Sequence, residues 1–260
     1  KGSKWKIGEP IVWYFAGPGY FNYVNDQTVS QLVAGGWNLG WAYSKDELDT
    51  YYRHGVRALY NIGVPKMDDP AQLKALDDAI ATASKHPATY GYWIVDEPKA
   101  DKFEAIGKVV SYLRSRDPEH AAVVNLLPIL STADGDLVPP YKEYLEQFIK
   151  KVKPDVLSYD FYPFMAKGDG LFYFLNLMLM REESLKAGIP FINITQAIAH
   201  YNLGYRWPTS NEMRWLSYTT LAYGGLGLSW YIYNDRLDVP ALSGFFKDTP
   251  ESNIPTENYW

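Results

Sequence analysis

The sequence predicts an α/β protein folded as a single (β/α)8 barrel, also called a TIM barrel. Short runs of β-branched and aromatic residues alternate with helical patterns along the chain, which is typical of a parallel sheet with crossover helices. Eight such runs occur. The chain length of 260 residues also suits one barrel, which needs roughly 250 residues. Together these observations predict one domain that covers residues 1–260.

The expected strands and helices follow one another in regular order. The eight strands are expected at residues 11–15, 37–41, 57–62, 91–95, 121–127, 155–161, 190–195 and 225–233. The seven helices are expected at residues 27–34, 45–54, 70–84, 102–115, 141–151, 170–186 and 211–222. Asn25 or Asp26 should cap the first helix and Ser44 the second, while Pro70 occupies the tolerated first turn of the third. The pattern gives no eighth helix, so we expect the barrel to lack it or to be truncated there.

An open, doubly wound sheet is the alternative architecture. Such a sheet usually carries a glycine-rich phosphate-binding turn after an early strand. Gly17-Pro18-Gly19 follows the first predicted strand, but these residues lack the required spacing and no helix starts directly after them. The barrel is therefore the favoured prediction.

Composition and charge argue against several classes of function. The net charge is −5 and no basic stripe occurs, so we expect no nucleic-acid partner. No apolar run reaches the roughly 18 residues of a membrane span. The chain has no cysteine, which excludes disulfides, thiolate metal sites and a cysteine nucleophile. Three of the four histidines precede strands, so we expect no metal site, and no cofactor is indicated.

The most informative segment is GYWIVDEP at residues 91–98, where the fourth strand ends in adjacent carboxylates, Asp96 and Glu97. In a β/α barrel the carboxyl ends of the strands form the mouth, where the chemistry takes place. Burial at a strand end can raise the pKa of one carboxyl group while its neighbour stays ionised, which suits general acid–base catalysis. Because adjacent strand residues point to opposite faces, we expect only one of the two to face the cavity.

Polar and aromatic residues follow most of the other predicted strands. Asp160 is a further candidate catalytic carboxylate at the end of the sixth strand. Aromatic residues make up 16% of the chain; such rings can fill a barrel core, and they can also stack on the apolar face of a sugar. The candidate substrate-binding residues are Tyr20, Trp41, Asn61, Asn125, Tyr162, Gln196, His200, Arg206, Trp230 and Asp235.

Three segments resemble the clan A glycoside hydrolases, a group of β/α barrels. Asp96-Glu97-Pro98 is similar to that clan's Asn-Glu-Pro motif after the fourth strand, and the resemblance implies that Glu97 is the acid/base. The aromatic run at residues 158–164 is similar to a segment that lines the clan's sugar subsite, and residues 206–225 resemble the end of barrels related to family 42. The resemblance therefore implies hydrolysis of a glycosidic bond, which needs two carboxyl groups beside the scissile oxygen.

One position departs from the clan's pattern. The clan's nucleophile is a glutamate at the end of the seventh strand, and Gln196 stands at the matching place. Three explanations are open. Gln196 could bind substrate while Asp160, Asp96 or Asp235 supplies the second carboxylate. It could be an engineered replacement of glutamate that inactivates the enzyme, or the barrel could bind glycans without cleaving them. We favour the first explanation, with Asp160 as the second carboxylate.

The sequence thus predicts a glycoside hydrolase that cleaves an oligosaccharide or polysaccharide. A non-catalytic glycan-binding barrel is the alternative, and a barrel enzyme of unrelated chemistry is a third possibility. We expect a secreted or periplasmic protein, although no signal peptide is present. Lys1-Gly2-Ser3 is typical of a cloning remnant or a trimmed start, and the sequence does not indicate an oligomeric state.

Overall fold

The computed structural model describes residues 11–15, 17–19, 23–129, 138–234, 242–247 and 254–255. Eight parallel strands form the barrel, and a two-residue strand, β8 (Ala199–His200), lies outside it. The barrel strands are β1 (Ile11–Tyr14), β2 (Leu39–Ala42), β3 (Arg57–Asn61), β4 (Thr89–Asp96), β5 (Ala121–Leu126), β6 (Leu157–Asp160), β7 (Phe191–Gln196) and β9 (Gly227–Tyr231). The fold class predicted from the sequence is confirmed.

Within the described ranges, seven α-helices alternate with these strands. They are α1 (Asp26–Ala34), α2 (Lys45–Arg53), α3 (Pro70–Ala83), α4 (Phe103–Arg116), α5 (Val138–Val152), α6 (Tyr173–Ala187) and α7 (Ser210–Ala222). No α-helix follows β9 in the part of the chain that the structure describes. The later residues that are described form three short strands, β10 (Leu242–Ser243), β11 (Phe246–Lys247) and β12 (Ile254–Pro255).

The sheet has the order β1-β9-β7-β6-β5-β4-β3-β2, so each barrel strand pairs with its neighbours in the sequence. Asn38 joins the two ends of the sheet. Its backbone nitrogen donates to the Val12 carbonyl oxygen at 3.0 Å, and its side-chain Oδ1 accepts from the Val12 nitrogen at 2.9 Å. These bonds link β1 to β2. Because the barrel strands are parallel, their carboxyl ends all lie at one mouth.

The helix starts mostly follow the predicted capping signals. Asn25 caps α1, with Oδ1 accepting from Thr28 N at 2.9 Å, and Ser44 caps α2 in a capping box with Glu47. Asp26, the other candidate cap, is the first residue of α1. Helix α5 begins earlier than expected, at Val138, because the prolines that follow are tolerated in a first helical turn.

A cluster of aromatic rings fills the barrel interior below the mouth. The ring centroids of Trp13 and Trp41 are 4.8 Å apart, as are those of Trp41 and Trp93. Phe15 packs on Trp41 at 5.1 Å. These rings fill the barrel beneath the carboxyl ends of the strands. None of the helices in the described ranges combines the length and apolar character needed to span a membrane.

Candidate active site

A cavity of about 570 Å³ opens at the carboxyl ends of the strands. One wall is polar and comes from the ends of β4, β5 and β6: Asp96, Glu97, Asn125 and Asp160. The other walls are largely aromatic and apolar, and include Phe15, Phe161, Tyr162, Phe172, Ile194, Ile198, His200, Tyr205 and Tyr231. The cavity therefore combines carboxyl groups with flat rings.

The end of β4 places two adjacent carboxyl groups on the same wall. Asp96 is the last residue of β4, and Glu97 follows with a φ of 43°, in the left-handed region. This conformation costs a residue with a side chain about 1–2 kcal/mol. It interrupts the alternation of the strand, while Glu97 N still donates to Asn125 O at 2.9 Å. Our expectation that only one of the pair faces the cavity is therefore wrong, because Glu97 lies beyond the regular strand.

Asn125 holds the carboxyl groups together. Its Nδ2 donates to Asp96 Oδ1 and to Asp160 Oδ1, both at 2.9 Å, and its Oδ1 accepts from Ser158 Oγ at 3.0 Å. Asn125 is only 2% exposed, so these three bonds fix its orientation. It lines the cavity as expected, and its main partners are the neighbouring side chains on β4 and β6.

The carboxyl groups have unequal pKa values. Burial, followed by the charges of Asp160 and Asp96 and a hydrogen bond to Asp160, raises the pKa of Glu97 to about 8. Burial, followed by the charge of Asp96, raises the pKa of Asp160 to about 6, although hydrogen bonds from Asn125, Tyr162 and Glu97 oppose the rise. Burial also raises the pKa of Asp96. Solvent in the cavity reaches Asp96 and Glu97, but the protein around them removes enough water to disfavour their charge.

These two pKa values differ in a useful direction. Glu97 keeps its proton to a higher pH than Asp160 does, so near neutrality Glu97 is the group that favours the acid form and Asp160 the group that favours the carboxylate. Asp160 is 8% exposed, and the hydrogen bond from Asn125 at 2.9 Å favours its charged form. A protonated acid beside an ionised carboxylate is the arrangement that general acid catalysis needs when it is combined with nucleophilic or base catalysis.

Tyrosines form the wall nearest to Asp160. Tyr162 donates a hydrogen bond to Asp160. Its ring stacks on Tyr231, with centroids 5.3 Å apart and an interplanar angle of 18°, and it meets Tyr205 edge-on at 5.7 Å. The role of Tyr162 as a cavity residue agrees with the sequence prediction. Tyr231 was missed, although it lies on β9 one residue after Trp230, where strand alternation reverses the direction of the side chain.

Two predicted tryptophan contacts are not at the cavity. Trp41 is fully buried, and its Nε1 donates to Tyr14 O at 2.8 Å. It belongs to the ring cluster beneath the mouth, because its position on β2 directs it to the interior. Trp230 pairs in register with Tyr14 and packs against the core from outside. Neither expectation of substrate contact holds in the cavity described here.

Gln196 also lies outside the cavity lining and is fully buried. Its Nε2 donates to the carbonyl oxygens of Phe164 at 3.0 Å, Ile198 at 3.3 Å and Arg206 at 2.8 Å, and its Oε1 accepts from Phe164 N at 2.8 Å. The buried amide thus joins the loops after β6 and β7, with both its nitrogen and its oxygen bonded to the backbone. A glutamate here would direct a carboxylate at three carbonyl oxygens, which argues against the interpretation of an engineered replacement.

The remaining candidates divide into several groups. His200 lines the cavity, and its buried Nδ1 has no hydrogen-bond partner among the described residues. Arg206 forms a double ion pair with Glu212 at 2.7 and 2.9 Å and reaches Asp169 at 3.4 Å, so it is not a partner of Asp160. Asn61 donates to Tyr43 Oη at 2.9 Å and lies in a separate surface pocket. Tyr20 and Asp235 lie outside the described residues.

No group of three or more histidine, aspartate or glutamate side chains in the described ranges is arranged to hold a metal ion. The cluster of Asp96, Glu97 and Asp160 is organised instead around hydrogen bonds, with Asn125 between two of its members.

Comparisons with known proteins show the fold. No protein-family model matches the chain, and no curated protein matches it. Among solved structures, it is similar to a β-galactosidase from the haloarchaeon Halorubrum lacusprofundi, with 11% identity and a TM-score of 0.64 over 96% of this chain and 56% of that one. It is also similar to an endo-β-1,4-mannanase from Thermotoga petrophila, with 10% identity and a TM-score of 0.57 over 87% and 69% of the two chains.

A β-galactosidase from Marinomonas ef1 gives a comparable likeness, with 10% identity and a TM-score of 0.55 over 87% of this chain and 54% of that one. All three neighbours are glycosidases, and this chain therefore has the barrel fold of such enzymes. At these identities the likeness shows the fold alone.

Proposed function

We propose that this protein is a glycoside hydrolase in which Glu97 is the general acid/base and Asp160 the second catalytic carboxylate. One observation carries the proposal: the carboxyl groups of Glu97 and Asp160 line the same ring-lined cavity at the barrel mouth, and burial raises their pKa values to about 8 and about 6. The tyrosine and phenylalanine rings offer flat apolar faces to a sugar, and the polar wall offers acceptors to its hydroxyl groups.

The mutual influence of Glu97 and Asp160 on their pKa values indicates that the two carboxyl groups are near each other, which favours retention of configuration. Retaining glycosidases hold their two carboxyl groups roughly 5–5.5 Å apart, whereas inverting enzymes leave roughly 6.5–9.5 Å for a water molecule. Of these two spacings, the shorter one suits groups that interact directly.

In the proposed reaction, Glu97 protonates the departing glycosidic oxygen while Asp160 forms a bond to the anomeric carbon. The Glu97 carboxylate then takes a proton from water, whose oxygen displaces Asp160 and restores both groups. Asp96 and Asn125 position Asp160, since Asn125 bonds to both carboxylates.

A screen of the wild-type protein against a broad glycan panel tests this proposal through the release of new reducing ends. On the first substrate found, proton NMR should show that the anomer formed initially has the configuration of the substrate. First formation of the opposite anomer would overturn the assignment of Asp160 as nucleophile. It would leave hydrolysis itself intact.

A non-catalytic glycan-binding barrel is the second candidate, favoured by the placement of Gln196 at the position of the clan's nucleophile and by its use in holding two loops. It predicts binding of sugars by calorimetry without release of reducing ends over long incubation. We further infer that the protein acts outside the cytoplasm, where it would encounter polysaccharides. Cell fractionation followed by detection with an antibody tests this inference, and finding the protein in the cytoplasmic fraction would contradict it.

A further inference from the structure

A second hollow adjoins the candidate active site. It measures about 430 Å³ and lies between the loop after β6 and the starts of α6 and α7. Its lining residues are Pro163, Phe164, Asp169, Gly170, Leu171, Tyr173, Phe174, Asn211, Glu212 and Trp215. We call it the outer groove. Gly170 and Leu171 line both the outer groove and the active-site cavity, so the two hollows lie on either side of this short ridge.

Gly170 is closely packed in the ridge. A Cβ atom at this position would come within 3.2 Å of the Phe161 ring and 3.3 Å of Pro163 Cα, closer than ordinary contact. The Gly170 nitrogen donates to Pro163 O at 2.6 Å and ties the ridge to the loop after β6. Leu171 is 90% exposed at its top. A chain leaving the cavity can therefore cross here and meet an apolar side chain.

Trp215 provides a fixed, partly exposed ring inside the outer groove. Its centroid lies 4.9 Å from Tyr173, 5.3 Å from Phe174 and 6.0 Å from Phe164. These neighbours hold the indole in place, and Trp215 is still 39% exposed. A ring that is immobilised before binding loses little conformational entropy when a ligand stacks on it.

The rim of the outer groove carries two carboxylates that share one guanidinium. Arg206 holds Glu212 at 2.7 Å and Asp169 at 3.4 Å, and its guanidinium lies 5.0 Å over the Phe164 ring. The hydrogen bond from Arg206 lowers the pKa of Glu212 to about 2, so this carboxylate stays ionised. Carboxylates accept hydrogen bonds from hydroxyl groups and repel anions. Flat rings beside such acceptors suit a neutral polyhydroxylated chain.

We infer that the outer groove binds further sugar units of the same neutral saccharide chain that occupies the cavity, with Trp215 as the stacking platform. The inference rests on the proposed function and makes it more specific: the substrate is a neutral oligosaccharide or polysaccharide long enough to cross Gly170 and Leu171. A short glycoside occupies only the cavity and makes no contact with the outer groove.

The test compares Trp215→Ala and Tyr218→Ala. Tyr218 is on the same helix and 69% exposed, but it does not line the outer groove. Binding of disaccharides and of longer cello- and manno-oligosaccharides is measured by calorimetry, and kcat/KM is measured on the same series. We expect affinity and kcat/KM to rise with chain length in the wild type and in Tyr218→Ala. In Trp215→Ala we expect the gain from length to fall roughly tenfold, and Trp215→Phe should recover part of it.

Several results would overturn the inference. If Trp215→Ala keeps the length dependence of the wild type, or if the wild type does not prefer longer chains, the outer groove is not a sugar site. Hydrolysis of short glycosides would still support the proposed function in that case. Length-dependent binding without any reducing ends supports the outer groove and contradicts the proposed function. A wild-type dimer that Trp215→Ala dissociates in sedimentation would show that the groove binds a second copy instead. If Trp215→Ala does not fold, the comparison of Trp215→Phe with Trp215→Leu decides.

Discussion

Glu97 and Asp160 differ in the proton they carry because their surroundings differ. Asp160 is buried and receives hydrogen bonds from Asn125 and Tyr162, whereas Glu97 is open to the cavity and faces the negative charges of Asp160 and Asp96. The same physical rule, that hydrogen-bond donors favour the charged form and like charges oppose it, thus produces an acid and a carboxylate from two similar groups.

The pH dependence of activity follows from these two pKa values. The proposed mechanism needs ionised Asp160, so it predicts that kcat/KM falls as pH drops below about 6. It also needs protonated Glu97, so kcat/KM should fall as pH rises above about 8. We expect a bell-shaped profile with its maximum near neutrality, measured with an aryl glycoside of the substrate sugar. If a weakly active Glu97→Gln variant still loses activity above about pH 8, that loss at alkaline pH comes from the titration of another group.

Asp160 should also carry a cost in stability. Its pKa is raised from 3.8 to about 6 on folding, so ionising it in the native state is unfavourable. That cost is absent well below pH 3.8, grows as pH rises towards 6, and is full above it. Asp160→Asn removes the charge, and we expect it to raise the free energy of unfolding by about 2–3 kcal/mol at pH 7.5 and by much less at pH 4.

Urea unfolding of both proteins at the two pH values measures this difference. Asp101→Asn is the matched control, because Asp101 is exposed at the surface. An equal effect of Asp160→Asn at both pH values would mean that the change in stability does not come from the charge.

At the scale of elements, strand ends and loops decide which side chains meet. The order of strands along the sequence was enough to place Asp96, Glu97, Asn125, Asp160, Tyr162 and His200 at one mouth, because parallel strands expose their carboxyl ends together. The sequence could not give the direction of each side chain. The Trp41 side chain points to the barrel interior. Glu97 departs from the strand alternation because its backbone is in the left-handed conformation, which no sequence pattern predicted.

Gln196 illustrates a second limit of the sequence. Its position at the end of β7 was predicted correctly, but its partners are backbone atoms of two loops whose paths depend on tertiary packing. Similarity to the clan's nucleophile position therefore indicated a substrate contact, and the structure shows a brace between loops.

This role of Gln196 can be tested by Gln196→Glu. The change removes three hydrogen bonds to carbonyl oxygens and buries a carboxylate among them, so we expect a loss of about 2–4 kcal/mol in the free energy of unfolding. Gln27→Glu, at an exposed position on α1, is the control and should be nearly neutral. A stable Gln196→Glu protein with increased hydrolysis would instead restore position 196 as the site of a nucleophile.

At the scale of the whole molecule, the barrel supplies the separation between a filled interior and an open mouth. The aromatic cluster of Trp13, Trp41 and Trp93 closes the barrel below the carboxyl groups, and the loop after β6 divides the mouth into the cavity and the outer groove. Length and periodicity predicted this architecture, since they follow from local patterns. The division of the mouth depends on the conformation of the loop after β6, which the sequence pattern did not predict.

The most direct test of the central claim is the comparison of the wild type with Glu97→Gln on the first glycan found to be a substrate. The amide keeps the shape of the side chain but cannot act as the acid, so we expect kcat to fall roughly 10²–10⁴-fold while calorimetry still detects sugar binding. Glu104→Gln, an exposed change on α4, should match the wild type. Full release of reducing ends by Glu97→Gln would contradict the account.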